Sequence, residues 1–335
     1  MTLRIGLLGA AKIAPAALLR PARTLPDVEI LAIASRDPRR AHALARRYRI
    51  PRVYRTYEEV IGDPAIDAVY IPLPNALHGV WTRRALHAGK HVLCEKPLTA
   101  NADEAEAVAA AAHKAGRCVL EAFAYRYHPM ADRLRSMIAG GDIGNVRRIE
   151  ADFLVPLLRR GDIRWRAELA GGSLMDAGCY PISLVRWLAG AEPDVVAARA
   201  VLASPDVDRT MTAELRFPNG TTARIRSSLL SRHVFRSVAR VVGSAGTALV
   251  FNPYHPSYGN LLFIAGQRGR RVEMVRGDNV YRAQLRAFAR IIAGEAVNRT
   301  APEDSIGTML TIDAIYRAAG MRPRNGVAYE DKTSR

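Results

Sequence analysis

The sequence predicts an α/β chain in two parts: a doubly wound parallel sheet, then an α+β region built on a large, mostly antiparallel sheet. Three observations predict it. Over the first third, short buried-strand runs alternate with helical patterns at the spacing of βαβ units, which places helices on both faces of a parallel sheet. After about residue 123 the texture changes to long half-alternating strands in succession with a hairpin signal between them, the pattern of an antiparallel sheet. The length of 335 residues suits two domains of ordinary size, each able to bury its own core. The expected boundaries are 1–122 for the first domain, 123–322 for the second and 323–335 for a polar, frayed tail.

The elements follow in order. Leu3 to Leu8 (LRIGLL) reads as a buried strand, and Gly9 to Ala14 (GAAKIA) as the turn opening a helix. VEILAIA from Val28 is a second strand, with helix expected over 41–48. AVYI from Ala68 is a third strand, stopped by Pro72 and Pro74, and the helix over 80–88 ends at Gly89. HVLC from His91 is a fourth strand, 102–115 a helix ended by Gly116, and 118–122 a fifth strand. Beyond these the pattern predicts helices over 130–138 and 173–188, and strands over 146–155, 195–202, 210–217, 221–228, 235–242 and 248–251. Asn219-Gly220 sits between two of them, a strong two-residue hairpin signal. Helices over 281–293 and 304–319 close the pattern.

Composition excludes several classes. Apolar residues at 49% and charged residues at 24% are an ordinary globular mix, not a disordered one. No stretch approaches the ~18 uninterrupted apolar residues of a membrane span, and an apolar pattern beginning at Leu3 leaves no room for a signal peptide. Cys94, Cys118 and Cys179 form no CxxC pair, which fits a reducing cytoplasm and excludes a disulfide framework or a cysteine-rich zinc site. With no HExxH and no clustered carboxylates, no metal site is expected. The net charge of +17 invites nucleic acid as a partner. The cations, however, are nearly all arginine, with lysine only at Lys12, Lys90, Lys96, Lys114 and Lys332. They fall in short clusters such as Arg39-Arg40, Arg46-Arg47 and Arg159-Arg160. An alanine- and arginine-rich chain with little lysine is the mark of biased codon usage, and no one-faced arginine or aromatic stripe is present. Neither nucleic acid nor membrane is expected as a partner.

The turn after the first strand bears on ligand binding. A dinucleotide fingerprint reads G-x-G-x-x-G/A, the first glycine making the tight turn and the second letting backbone approach the pyrophosphate. Here its register is Gly9, Ala11 and Ala14, with alanine at the middle position. The string is weak alone, but it follows a strand, opens a helix and lies in a βαβ unit, where free N–H groups and the helix dipole favour phosphate. This makes the first domain a Rossmann domain, with Gly9, Ala11, Lys12 and Ile13 around the pyrophosphate. At the end of the second strand an acid would select NAD, whereas arginine accommodates a 2′-phosphate. Ser35 and Arg36 stand there, with Arg39 and Arg40 just beyond, and favour NADP, NAD remaining possible.

Two further stretches carry chemistry. Glu95, Lys96 and Pro97 fall at the carboxyl end of the fourth strand, where ligands of open α/β sheets bind. Asp176 and Tyr180, four apart, share one helix face at ~5–6 Å between Cβ atoms, and offer proton-transfer groups to a carbinol or ketone. From the residues alone, Asp176 could equally be a helix-start carboxylate and Tyr180 a core tyrosine. Cys179 has no identifiable base and reads as a small buried residue.

The nucleotide turn, Pro72-Leu73-Pro74-Asn75-Ala76-Leu77-His78, Gly89-Lys90-His91-Val92-Leu93-Cys94-Glu95-Lys96-Pro97 and Gly171-Gly172-Ser173-Leu174-Met175-Asp176-Ala177-Gly178-Cys179-Tyr180 together resemble the glucose–fructose oxidoreductase / inositol dehydrogenase (Gfo/Idh/MocA) superfamily from about residue 3 to 320. Glu121 to Pro129 (EAFAYRYHP) and Gly161 to Arg166 (GDIRWR) resemble the branch of dimeric dihydrodiol dehydrogenases, NADP-dependent D-xylose dehydrogenases and sugar 3-ketoreductases. Tyr180 and Ser183 stand where the inositol branch would carry His and usually Asp, which counts against an inositol-type substrate.

The resemblance implies hydride transfer between nicotinamide and a carbinol or carbonyl carbon of a sugar, polyol or dihydrodiol. In it, Tyr180 is the acid/base, Lys96 the cation beside it, and Asp176 orients substrate or Lys96. An unperturbed phenol has a pKa of ~10 and needs such a cation. It further implies that Pro72, Leu73, Asn75, His78, Glu95 and Lys96 line the cofactor, His78 as loop support, with Arg164 and Trp165 at the cleft. The peptide before Pro97 is often cis in this family. A homodimer through the open face of the second sheet is implied as well, VVAARAVL and TTARIRSS supplying that face. Two alternatives stay open: a redox-neutral enzyme of the same fold, and a non-catalytic NADP-binding regulator.

Overall fold

The computed structural model describes residues 2–159 and 161–328. Arg160 of the predicted arginine clusters and residues 329–335 of the predicted tail lie outside them. The first elements are β1 (Leu3–Leu8), a π-helical turn (Pro15–Leu19) running into α1 (Arg20–Ala22), β2 (Val28–Ala34), α2 (Pro38–Tyr48), β3 (Arg52–Tyr54), α3 (Tyr57–Gly62), β4 (Ala68–Ile71), α4 (His78–His87), β5 (His91–Cys94), α5 (Ala102–Ala115) and β6 (Val119–Glu121). There follow α6 (Pro129–Ala139), β7 (Val146–Leu154), a π-helical turn (Leu174–Gly178) running into α7 (Cys179–Ala189), β8 (Asp194–Ser204), β9 (Val207–Arg216), β10 (Thr222–Ser228), β11 (Arg236–Gly243), β12 (Thr247–Phe251), β13 (Leu261–Gly266), β14 (Gly269–Glu273), α8 (Val280–Ile292) and α9 (Pro302–Ala318).

Two compact units result. Residues 2–122, 281–306 and 325–328 form the first; residues 123–280 and 307–324 form the second. The sequence pattern places one boundary after residue 122. The structure adds the return of 281–306 and 325–328 to the first unit, a long-range grouping that local periodicity does not encode.

In the first unit the described strands lie in the order β3-β2-β1-β4-β5-β6, all parallel. The central strands are apolar along their whole length, as sheets covered on both faces require: Ile5, Leu7, Leu8, Val69, Ile71 and Val92 are buried. Helix boundaries follow local chemistry. Asp37 accepts from the Arg39 amide at 3.0 Å and Pro38 takes the first position, so α2 starts a turn earlier than its apolar pattern predicts. Asn101 accepts from the Glu104 amide at 3.0 Å, and Gly116, at φ 58°, closes α5. The segment β3–α3 escapes the sequence pattern because both elements are short.

In the second unit the strand order is β14-β13-β12-β11-β7-β10-β9-β8, antiparallel except for the β7–β10 pair. The predicted hairpin at Asn219-Gly220 joins β9 to β10, with Gly220 at φ 83° and Asn219 Oδ1 accepting from the Thr221 amide. The β13–β14 hairpin is an addition to the predicted set. One face of the sheet is the core, with Ile149, Ala151, Met211, Ala213, Ile225, Val241, Val250 and Ile264 buried.

The register across the outer face corrects the expected uniform apolar face. Glu150 is level with Arg224 and Glu214 on one side, and with Arg240, Leu249, Phe263 and Val272 on the other. The TTARIRSS strand turns Ala223 and Ile225 inward and presents Thr222, Arg224 and Arg226 outward, Arg226 pairing with Asp152 at 2.8 Å. The outer face is therefore ion-paired over β7, β9 and β10 and apolar over β12–β14, where Phe251, Leu261, Phe263 and Val272 are exposed.

Of the expected frayed tail, only residues 323–328 are described, and there the chain has partners. Arg324 is buried, its Nε donating to the Gly171 carbonyl at 3.0 Å, and the Val327 amide donates to the Ala76 carbonyl at 2.9 Å. A polar composition was the only ground for fraying, and it says nothing of such partners.

Candidate active site

The first unit sets its functional residues at the carboxyl ends of its strands. β1 ends at Gly9, whose φ of 104° and close approach to Leu73 (a Cβ there would lie 2.8 Å from Leu73 Cδ2) admit no side chain. Helical backbone begins only at Ala14, so Ala10 to Ile13 form the turn itself, with Lys12 and Ile13 exposed. This turn before a helix start, with a glycine in the left-handed region, fits a pyrophosphate.

Ser35 is buried at the end of β2 and its Oγ accepts from the Asp37 amide, while Arg36, Arg39 and Arg40 are exposed. Arg40 donates back to the Ala10 carbonyl, tying α2 to the phosphate turn. The acid nearest this strand end, Asp37, is engaged as the cap of α2 and pairs with Arg39 at 3.7 Å. The donors present there fit a 2′-phosphate better than a bare ribose hydroxyl. Tyr57 was missed by sequence reasoning. Its ring packs edge-on against Trp81 at 4.9 Å, its hydroxyl is hydrogen-bonded to the Arg36 backbone, and a Cβ on Gly9 would lie 3.8 Å from it. The capping box Thr56…Glu59, Thr56 Oγ1 accepting from the Glu59 amide, is the signal that could have found its helix.

At the end of β5, Glu95 and Lys96 are half-buried, and the peptide between Lys96 and Pro97 is cis. Their surroundings are held by hydrogen bonds on every side. Tyr70, fully buried, donates to Glu95 Oε1 at 2.7 Å. Glu121 Oε1 accepts from the Leu98 amide at 2.9 Å, and its other oxygen accepts from Ser305. His78 spans the Pro97 carbonyl (2.7 Å) and the Leu73 carbonyl (2.8 Å). Burial lowers its pKa to about 4 against the pull of the two carbonyls, so its ring is neutral near pH 7 and donates to only one of them. His78 therefore sits between the Leu73 and Pro97 loops and is hydrogen-bonded to one of them at a time. Pro72 is buried beneath that loop, and Asn75 is half-buried at its head.

The second unit brings Asp176 and Tyr180 to the start of one helix. Asp176 lies in the π-helical turn and Tyr180 one residue into α7, so the two are not on the regular α-helix their spacing suggested. Wide turns of this kind are frequent at functional sites. Asp176 Oδ2 pairs with Arg164 Nε at 2.8 Å, and Arg164 also donates to Asp162. Arg164, expected at the cleft, thus pairs with Asp176 within its own unit; Trp165 is half-buried beside it in sequence. Tyr180 is half-buried among rings: Phe153 at 5.2 Å, Tyr254 at 5.5 Å, Phe123 at 5.6 Å, His255 at 5.7 Å and Tyr125 at 6.3 Å between centroids. Tyr125 is fixed to Ser183 by a 2.8 Å hydrogen bond. Phe153, Tyr254 and His255 come from β7 and the loop after β12, and sequence spacing gave no hint of them. Among the described residues, no group of three histidine, cysteine or acidic side chains could hold a metal, and no helix is long and apolar enough to cross a membrane.

A phosphate turn on a parallel sheet, a lysine at a neighbouring strand end, and a phenol with a carboxylate on a helix above an antiparallel sheet are the equipment of a dinucleotide-dependent oxidoreductase. Two family models match: the oxidoreductase family with NAD-binding Rossmann fold over residues 3–123, and the GFO/IDH/MocA C-terminal domain over 131–249. The chain belongs to the Gfo/Idh/MocA oxidoreductase family. It is 39% identical to D-xylose 1-dehydrogenase (NADP(+)) 2 of Haloferax volcanii, covering 94% of this chain and 96% of that one. It is 33% identical to the dTDP-3,4-didehydro-2,6-dideoxy-alpha-D-glucose 3-reductase of Saccharopolyspora spinosa, over 96% and 98%. A solved 3-ketoreductase from Actinomadura kijaniata in complex with NADP and TDP-benzene superposes with a TM-score of 0.89 at 31% identity, over 96% and 98%. Other solved forms of that ketoreductase have a tyrosine replaced by phenylalanine, or a lysine replaced by alanine or glutamate. The two altered positions are as far apart in that chain as Lys96 and Tyr180 are here.

Proposed function

We propose that the protein is an NADP-dependent dehydrogenase or reductase acting on a carbinol or carbonyl carbon of a sugar, polyol or dihydrodiol, with Tyr180 as the acid/base, Lys96 as its cationic partner and Asp176 as an orienting group. The observation that carries the reading is Tyr180 itself, a phenol placed at a helix start with Asp176 and walled by aromatic rings. Gly9, Ala11, Lys12 and Ile13 would hold the pyrophosphate, Ser35, Arg36 and Arg40 the 2′-phosphate, and the loops of Leu73, Asn75 and Glu95 the nicotinamide end. When bound, the nicotinamide supplies or accepts the hydride; the chain handles the proton. Tyr180 Oη takes the proton of the substrate hydroxyl in oxidation and returns it in reduction. The Lys96 ammonium donates to the substrate oxygen, where charge builds. The buried rings of Phe123, Tyr125, Phe153 and Tyr254 hold the Tyr180 ring in place from behind.

The matching spacing of the altered lysine and tyrosine in the Actinomadura enzyme supports the pairing, and the Haloferax relative supports NADP. We also infer a homodimer through the outer face of the second sheet. Its apolar strip over β12–β14 supports this, since such strips on a free surface mark association sites.

The test is NADP(H) turnover against aldoses, nucleotide-linked keto sugars and aromatic trans-dihydrodiols, with Tyr180→Phe beside the wild type. Turnover falls by roughly 10²–10⁴-fold in the variant while NADPH still binds. A variant as active as the wild type would remove Tyr180 from the chemistry.

A further inference from the structure

Asp208 on β9 is the most completely satisfied buried carboxylate of the second unit, and none of the chemistry above uses it. It has no exposed surface. Oδ2 accepts from Ser173 Oγ and from the Leu174 amide, each at 2.7 Å; Oδ1 accepts from Tyr316 Oη at 2.9 Å and from Arg324 Nη2 at 3.1 Å. The Arg324 guanidinium lies over the Tyr316 ring, 4.3 Å from its centroid, and its Nε donates to the Gly171 carbonyl at 3.0 Å.

These contacts converge on the start of the helix that bears Asp176 and Tyr180. The first amides of a helix have no partner within it and are ordinarily capped by the residue just before. Ser173 occupies that place but makes no cap bond of its own, donating its hydroxyl to Asp208 while accepting from the Ser227 hydroxyl. The cap comes instead from another strand, a carboxylate whose charge suits the positive end of the helix. Gly172, at φ 124°, has no room for a side chain, since a Cβ there would run into Asp208 Oδ1. Gly171 is pressed as closely against the Arg164 and Arg166 carbonyls. Gly172 lets the backbone come down onto the carboxylate, Gly171 lets it pass the loop of Arg164 and Arg166, and the arginine both neutralises the carboxylate and holds the Gly171 carbonyl before the helix.

We propose that Asp208, Tyr316 and Arg324 form a positioning clamp that fixes the helix start carrying Asp176 and Tyr180, an inference that rests on reading Tyr180 as the acid/base. The residue expected to belong to a frayed tail is thereby part of the scaffold of the site. Tyr180 lies six residues beyond Leu174, ~9 Å along a helix, so a displaced start moves its hydroxyl by a similar amount. A misplacement of ~1 Å costs on the order of 10²-fold in rate.

The experiment uses full-length Asp208→Asn, Tyr316→Phe, Arg324→Gln and Arg324→Lys, with Arg322→Gln, an exposed neighbour, as control. Four quantities are measured: kcat, its pH profile, the NADPH dissociation constant, and amide hydrogen exchange over 173–180. The clamp predicts that Arg324→Gln loses on the order of 10–10²-fold in kcat, with a displaced pH limb, faster exchange over 173–180 and NADPH affinity within about twofold of wild type. Arg324→Lys recovers part of the loss, and Arg322→Gln changes nothing. Should Asp208→Asn fail to fold, Tyr316→Phe removes one donor while keeping the ring and gives a smaller effect in the same direction. Wild-type kcat and pH profile in Arg324→Gln, or unchanged exchange over 173–180, would overturn the proposal. Full activity in Tyr180→Phe would sink the acid/base reading instead, and the exchange result would stand apart from it.

Discussion

Arg36 follows the end of β2, and Arg40 lies four residues on, in the first turn of α2. Both are exposed, and Arg40 is also bound to the Ala10 carbonyl, whereas Arg36 stands next to Ser35 in the chain. If Arg36 is the group that reads the 2′-phosphate, Arg36→Ala weakens NADP binding by roughly 10–100-fold, the range of a lost hydrogen bond to a charged group, and leaves NAD binding nearly unchanged. Titration of both cofactors against the variant checks this, and an equal loss for the two would assign Arg36 to the shared part of the dinucleotide. What was legible at this scale is local placement: Gly9 in the turn after β1, Ser35-Arg36 at the end of β2, Glu95-Lys96 at the end of β5 and Asp176…Tyr180 at a helix start. The Asp176–Arg164 pair was not legible, because Arg164 sits in a loop whose path no local pattern specifies. Nor was the place of His78 between two carbonyls, since a buried neutral imidazole and a catalytic one look alike in a string.

β1, β2, β5 and α5 were read to the residue from their apolar patterns, while β3, α3 and the β13–β14 hairpin were not. The missed strands β3 and β14 carry arginine or glutamate in place of an apolar run, and α3 depends on its cap. The π-helical turn at Leu174–Gly178 could not be read either. It is shaped by the closeness of Gly178 to Ser227, where a Cβ would lie 3.0 Å from Ser227 Oγ, and by the clamp at its start. For α3 the decisive contact is the Thr56 cap, with Glu59 reaching back to the Arg55 amide at 2.8 Å. Thr56→Ala should cost about 1 kcal/mol, lowering Tm by roughly 2–4 °C. Because α3 begins with Tyr57, NADP affinity should fall too. Thermal melts and cofactor titration on the same preparation test both, and an unchanged affinity would detach Tyr57 from the cofactor site.

For the whole molecule, the asymmetry of the outer sheet face matters most. Alternation in β10 correctly marked a two-faced strand, but it could not tell that the outward residues would be arginines paired with Glu150 and Asp152. Pairing is a property of the register across strands, not of one strand. The apolar strip over β12–β14 is one surface for the proposed homodimer, and Val196, Val201 and Leu202, exposed on β8, are another. Phe251→Glu with Phe263→Glu should turn a dimer into a monomer in sedimentation, with melting of the isolated chain little altered because both side chains are already exposed. A wild-type sedimentation coefficient in the double variant would exclude the β12–β14 strip.

Arg324 has a consequence for the order of events during synthesis. Asp208, Ser173, Leu174 and Tyr316 all leave the ribosome before it, so a nascent chain can build both sheets while the helix start of Asp176 and Tyr180 still lacks the cation that holds it. A chain that has not yet reached Arg324 would be folded in outline with that helix start unclamped.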